Sequence, residues 1–213
     1  MTPDRLLEPL IAAADRALRS IFAPPRAARP SPTAGAPARD DDISDAEKRH
    51  SAGLMRVNHS GEVAAQALYR GQALMARTPD IRQWLLKVAD EEADHLAWCA
   101  TRLTELGSRP SALAPLWYAG SFVIGAAAAA FGDRISLGFV AETERQVEGH
   151  LNAQLEKLPA SDSRSHAILE RMKRDEVAHG DQATRSGAGE LPATVKQLMH
   201  KTSRVMTVTS YWI

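Results

Sequence analysis

The chain has 213 residues, 44% of them hydrophobic, with 26 basic residues balanced by 26 acidic ones. That length suits one domain with an appendage, and a balanced charge without a basic, aromatic-studded groove excludes nucleic acid as a partner. The one cysteine, Cys99, cannot form an internal disulfide, which points to a reducing interior and to a small buried hydrophobe.

Residues 1–22 carry a helical period. Leu6, Leu10, Ala14, Ala17 and Ile21 share a face that Arg5, Glu8, Asp15 and Arg19 avoid, so an amphipathic N-terminal helix is expected. Its run PLIAAA is too short, and too closely followed by charge, for a secretory signal. Residues 23–45 follow as a Pro/Ala-rich stretch, with seven of the chain's 12 prolines lying before residue 38. This reads as a flexible linker outside the core. The third segment, 46–213, is helical throughout. A first helix spans about 48–76. Thr78 and Pro79 make the N-cap and first turn of a second, which ends at Gly107. Leu113–Gly132 contains no charge. A long helix covers about 134–157 and stops before Pro159. Another runs from near Asp162 to Gly187. The last starts near 191 and carries Leu191, Val195, Leu198, Val205 and Met206 as apolar members. No alternating strand or hairpin dipeptide stands out, so the class is all-α.

The chemistry lies in a repeated motif. Glu-x-x-His occurs at Glu47/His50, Glu92/His95 and Glu176/His179. The first sits in DDDISDAEKRH, polar all round, and reads as a solvated helix start. The other two interrupt apolar stripes: Ile81, Leu85, Val88, then the pair, then Cys99, Leu103 and Leu106; and Leu169, Met172, then the pair, then Ala183. Asp90, Glu91 and Asp94 fall off the stripe. Residues three apart on a helix reach one point. A buried carboxylate costs several kcal/mol, of order, unless paired or metal-bound. Two inward Glu-x-x-His pairs therefore need cations, and a dinuclear helical bundle adds one Glu from each of two further helices. About 30 residues upstream, one helix away in such a bundle, lie Glu62 and the group Glu142, Glu144 and Glu148. The stripe Leu137, Val140, Val147, Leu151 passes through Glu144 and leaves Glu142 off-face, with Glu148 one turn on as an outer carboxylate. The expected metal set is Glu62, Glu92, His95, Glu144, Glu176 and His179, with no catalytic residue separate from the ligands. It lacks cysteine, which argues against structural zinc and for two divalent irons or manganeses. The stripes hold no Arg or Lys that would make these groups plain ion pairs. Tyr69 and His150 lie near enough to hydrogen-bond ligands. His59 is read as a local capping or surface residue.

RVNHSGEVAAQALYRGQ, DEEADHLAW, RPSALAPLWYAGSFVIGAAAAAFG, ERQVEGHLNAQL and RDEVAHGD together resemble the demethoxyubiquinone hydroxylase family over about residues 48–213. The resemblance implies a ferritin-like four-helix bundle with a hydrophobic crossover helix and an additional C-terminal apolar helix. It also implies a centre of two iron ions on the same six residues. The implied activity is ring hydroxylation of a polyprenyl demethoxy-quinol in ubiquinone biosynthesis, with O2 and an external reductant. The implied partners are that quinol, O2 and other ubiquinone-biosynthesis proteins, in a form compatible with a homo-oligomer. The chain carries no glycine fingerprint for a nicotinamide cofactor. The alternative is a ferritin-like iron-binding or peroxidase protein without quinol hydroxylation; a closed iron store is opposed by the apolar crossover, and a rubrerythrin-like module by the single cysteine.

The uncharged segment is about as long as a membrane span, which needs about 20 residues. Ligands before and after it must join one bundle, so it is expected to lie in one leaflet rather than cross. Trp117 and Tyr118 suit the interface. Residues 113–131 and the C-terminal helix would then form a peripheral contact on the cytoplasmic face of the cell membrane. The competing expectation is a buried, Ala-rich core helix.

Overall fold

The computed structural model describes residues 43–213 and 25–34, with Asp15, Leu18 and Ala23 besides. The rest of the amphipathic helix expected over 1–22 lies outside the described residues. From residue 43 on, six helices follow one another: α1 (Asp45–Met75), α2 (Pro79–Glu105), α3 (Ala114–Ala130), α4 (Asp133–Leu155), α5 (Ser163–Arg185) and α6 (Ala193–Trp212). No strand occurs among the described residues. The all-α, ferritin-like reading holds: the hairpins α1–α2 and α4–α5 form the bundle, α3 crosses between them, and α6 packs on α1 and α4.

Local chemistry sets the helix ends. Ser44 and Glu47 form a reciprocal capping box: the Glu47 carboxylate accepts from the Ser44 N–H at 2.9 Å. Glu47, expected as solvated, is thus used locally. Thr78 stands at the N-cap of α2 but its side chain does not cap. Asp133, at the start of α4, instead accepts the backbone N–H groups of Arg77 and Thr78, each at 2.9 Å. Asp162 caps α5 by accepting from Ser165 N at 2.9 Å, and also meets the fully buried Arg102 at 2.8 Å. Gly107 closes α2 with φ of 68°, a left-handed conformation that favours glycine.

The core is layered. One apolar cluster joins Met55, Trp98, Cys99, Leu103, Leu151, Leu169 and Met172. A second joins Tyr69, Leu85, Val88, Leu137, Val140 and Ala183. Between them, along all four bundle helices, come the carboxylates and imidazoles predicted as ligands. The layers fall out of the helical period, since 55, 62 and 69 on α1 and 151, 144 and 137 on α4 are successive pairs of turns on one face.

The crossover α3 lies flat on α1. A Cβ at Gly125 would stand 2.1 Å from the Leu68 carbonyl oxygen, and one at Gly71 would stand 2.2 Å from that of Phe122. Only glycine allows this approach. Tyr118, expected at a membrane interface, is buried at 5% exposure, in a cluster with Val63, Ala67, Leu96 and Ala114. His59 is likewise not on the surface. It is 6% exposed, and burial pushes its pKa down to about 4. Tyr118 is enclosed because α3 lies against a face of α1 that a single-stripe reading leaves to solvent. The outer face of α3 remains apolar, with Leu116, Val123 and Phe131 exposed. Among the described residues, no helix is long and apolar enough to cross a membrane.

Replacing Gly125 by alanine should push α3 off α1 and destabilise the fold by about 1–3 kcal/mol, the usual cost of overpacking. Denaturant unfolding of the full chain checks this. A loss of a few tenths of a kcal/mol would mean the α1–α3 contact relaxes freely.

Candidate metal centre

Each bundle helix contributes at the middle layer. α1 brings Glu62, α2 brings Glu92 and His95, α4 brings Glu144, and α5 brings Glu176 and His179. All six are buried. Glu62, Glu92, His95 and Glu176 form one group able to hold a metal ion, and Glu92, Glu144, Glu176 and His179 form another; within each, one ligand atom per residue lies within 4.8 Å of the others. Glu92 and Glu176 belong to both. The geometry is therefore that of two adjacent positions with two shared carboxylates, one terminal carboxylate each and one imidazole each.

Both imidazoles turn Nδ1 inward. His95 Nδ1 lies 3.0 Å from Glu92, 3.1 Å from Glu176 and 3.5 Å from Glu62. His179 Nδ1 lies 3.3 Å from both Glu92 and Glu176 and 4.0 Å from Glu144. The outer nitrogens are held crosswise. His95 Nε2 meets Asp175 on α5 at 3.0 Å, and His179 Nε2 meets Glu91 on α2 at 2.7 Å. An acidic residue directly before each glutamate of the motif thus orients the histidine of the other half, fixing which nitrogen faces inward. Sequence reading placed Glu91 off the stripe and passed over Asp175. The signal was present, since EE and DE open the two motifs alike.

The electrostatics are those of four carboxyls competing for too little positive charge. Burial pushes Glu62 well above the usual carboxylate range. Burial and then the neighbouring Glu176 and Glu92 do the same to Glu144. Glu92 is also pushed up by burial, but the imidazoles of His179 and His95 beside it outweigh this and hold it low. Burial disfavours a charged His179, yet its bonds to Glu176 and Glu92 drive its pKa up to about 12. His95 rises for the same reason, chiefly through Asp175 and Glu176. Buried cations relieve this crowding. Among the described residues, Glu62 Oε2 and Glu92 Oε1 receive no well-aligned hydrogen bond, with His95 Nδ1 at 3.5 Å and His179 Nδ1 at 3.3 Å beside them, so each has a lone pair to offer. Oxygen and imidazole donors without thiolate fit a divalent transition metal; Cys99 faces Met172 Sδ at 3.8 Å instead.

Surrounding predictions divide. Tyr69 is beside the cluster, its hydroxyl donating to Glu144. His150 is not; its Nε2 pairs with Gln154 at 2.8 Å. Glu142 is buried but points away, held by Arg145 at 2.6 Å and Gln146 at 2.6 Å, so Glu144 is the carboxylate that joins the cluster. Glu148 lines a cavity of about 410 Å³ that also reaches Glu144 and Glu176, along with Gly138, Gly180 and Lys196. Asp94, expected off the stripe, is 4% exposed, covered by Arg29 from the stretch read as linker. His50, the third motif histidine, is remote and pairs with Tyr211 at 2.7 Å.

The family model described as "Ubiquinone biosynthesis protein COQ7" matches residues 49–210. A relative from Ralstonia pickettii (strain 12J), named 3-demethoxyubiquinol 3-hydroxylase, is 55% identical over 98% of this chain and all of its own length. Proteins of the same name from Variovorax paradoxus (strain S110) and Dechloromonas aromatica (strain RCB) are 56% and 53% identical, over 97% and 99% of the chain and 98% and 99% of their own lengths.

Glu144→Ala and Glu176→Ala should each lower bound iron or manganese from two ions per chain to one or none, whereas Glu142→Ala should leave it unchanged. Metal analysis after anaerobic loading decides. Full loading of Glu144→Ala would remove that residue from the ligand set.

Proposed function

The chain belongs to the family of ubiquinone biosynthesis protein COQ7, and on that premise we propose that it is a 3-demethoxyubiquinol 3-hydroxylase, a di-iron monooxygenase. The observation that carries the reading is the pair of four-residue groups sharing Glu92 and Glu176. The domain doing this work is residues 46–213, with 1–22 and 23–45 appended to it. The proposed ligands are Glu62, Glu92, His95, Glu144, Glu176 and His179.

Two iron ions held there would supply the activation of O2 and the delivery of one oxygen atom to an electron-rich ring. The protein's own part is to hold, orient and keep dry. The two apolar clusters above and below the ligands exclude water from the axis of the bundle. Asp175 and Glu91 accept the outer imidazole protons. Tyr69 holds Glu144 by its hydroxyl proton. The cavity beside Glu144 and Glu176 is the approach for the quinol ring. The reductant is external, because the chain has no nucleotide-binding glycine fingerprint.

A polyprenyl tail is insoluble in water, and two exposed apolar faces suit its source. On α3 these are Leu116, Val123 and Phe131; on α6, Leu198, Val205, Val208 and Trp212. Both faces would rest in one leaflet, making the enzyme peripheral on the cytoplasmic face of the membrane.

The decisive test supplies the iron-loaded protein with a demethoxy-quinol, reductant and labelled O2. One labelled oxygen should appear on the ring by mass spectrometry. O2 consumption without ring product would leave the iron-binding or peroxidase reading in its place. Separately, charging Val123 and Phe131 to glutamate should cut co-sedimentation with vesicles by at least about tenfold, since each buried apolar side chain is worth roughly 1.5–3 kcal/mol. Unchanged binding would remove α3 from the membrane contact.

A further inference from the structure

The segment 25–34 is fastened to the bundle by Arg29. Its Nε lies 2.5 Å from Asp94 Oδ2, and its Nη1 lies 2.8 Å from Asp175 Oδ2. Asp94 Oδ1 also accepts the backbone N–H of Ala28 at 2.6 Å and of Arg29 at 3.3 Å. The Nη2 donates to the Glu91 carbonyl oxygen at 3.4 Å, and the guanidinium stacks 5.2 Å from the centre of the Trp98 ring.

Asp94 is on α2 and Asp175 on α5, the two helices that carry the Glu-x-x-His pairs. The arginine fork is thus a strut between them at the level of the ligands. Asp175 Oδ2 is the atom that accepts from His95 Nε2, so one carboxylate oxygen links Arg29 directly to a ligand imidazole. Arg171 also approaches Asp175, at 3.2 Å, but from one turn away on α5 itself. It cannot tie one helix to another. Among the described residues the other half has no equivalent strut: besides His179, the Glu91 carboxylate meets Lys87 of its own helix at 3.2 Å, and Lys87 is 73% exposed.

We propose that Arg29 is a positioning residue. It locks Asp175 against His95 and braces α2 to α5, so the metal position built on Glu62 and His95 depends on segment 25–34, while that built on Glu144 and His179 does not. This rests on the six-ligand assignment above.

The test loads the full-length protein anaerobically with ferrous iron and follows release to a chromogenic ferrous chelator. In Arg29→Ala, one iron per chain should leave about tenfold faster or more, the usual range for loss of a group that orients a ligand, and the other at the parental rate. The proton NMR of the iron-loaded protein gives a second readout. The shifted N–H signal of one ligand imidazole should exchange with solvent faster in the variant, and that of the other should not. Release of both ions at parental rates, or equal acceleration of both, would overturn the inference, the latter showing general loosening. His95→Ala keeps the premise separate. If that variant still holds two irons, the ligand assignment fails. If it loses iron while Arg29→Ala behaves as the parent, only the role of Arg29 fails. Arg29→Lys should resemble Arg29→Ala, because an ammonium cannot span both carboxylates; parental release from Arg29→Lys would also count against the strut.

Discussion

Everything in this molecule answers to four carboxylates buried in one layer. Glu62, Glu92, Glu144 and Glu176 are each at most 4% exposed. Each charge would cost several kcal/mol, of order, to desolvate, and each raises the cost of the next. Such a layer exists only if positive charge is supplied inside it and the surrounding frame cannot relax away. The frame has both properties. Two imidazoles sit within the layer, and apolar clusters above and below pin the four helices that carry it. With the cluster residues on four separate helices, no local rearrangement can remove more than two of them.

The crossover is the second consequence. Two helical hairpins must meet with their ligands facing, so the chain has to travel the length of the bundle between them. Here it does so as a helix pressed onto α1 through paired glycines, Gly71 and Gly125. Glycines on the inner face permit that approach beside the buried Tyr118, while Leu116 and Val123 are left outward. An exposed apolar face on α3 is thus partly imposed by packing, and the contact proposed for it would take advantage of geometry the connection already requires.

The clustering of Glu62, Glu92, His95, Glu144, Glu176 and His179 was legible in the sequence because these residues obey one rule: a buried helix face repeats every three or four residues, and charges on that face demand explanation. Glu142 and Glu144 could be told apart on this ground alone, and Arg145 and Gln146 account for the one that turns away. What escaped was everything buried by a second neighbour. Tyr118 is enclosed because α3 covers α1, and His59 is buried on α1. Asp94 is enclosed because a segment more than sixty residues earlier lies over α2. Glu91 and Asp175 sit at the edge of the stripe, where each carboxylate meets the outer imidazole nitrogen of a histidine on the opposite helix. A one-stripe reading has no place for helices covered on two sides, and a proline-rich composition gives no hint that one arginine within it finds two carboxylates.

The sequence repeat suggests two equal halves, but the fold treats them differently. On one side, Arg29 and Trp98 close over Asp175 and His95. On the other, the cavity of about 410 Å³ reaches Glu144 and Glu176. There the helices carry Gly138 and Gly180, and a Cβ at Gly180 would already press on Glu144 at 3.2 Å. A hydroxylase needs this inequality. One face must be sealed so that water does not reach the cluster, and one must admit a substituted ring. The two motifs bring matched residues into the cluster; the N-terminal segment covers the side of His95, while the cavity reaches the side of Glu144, beside Gly180.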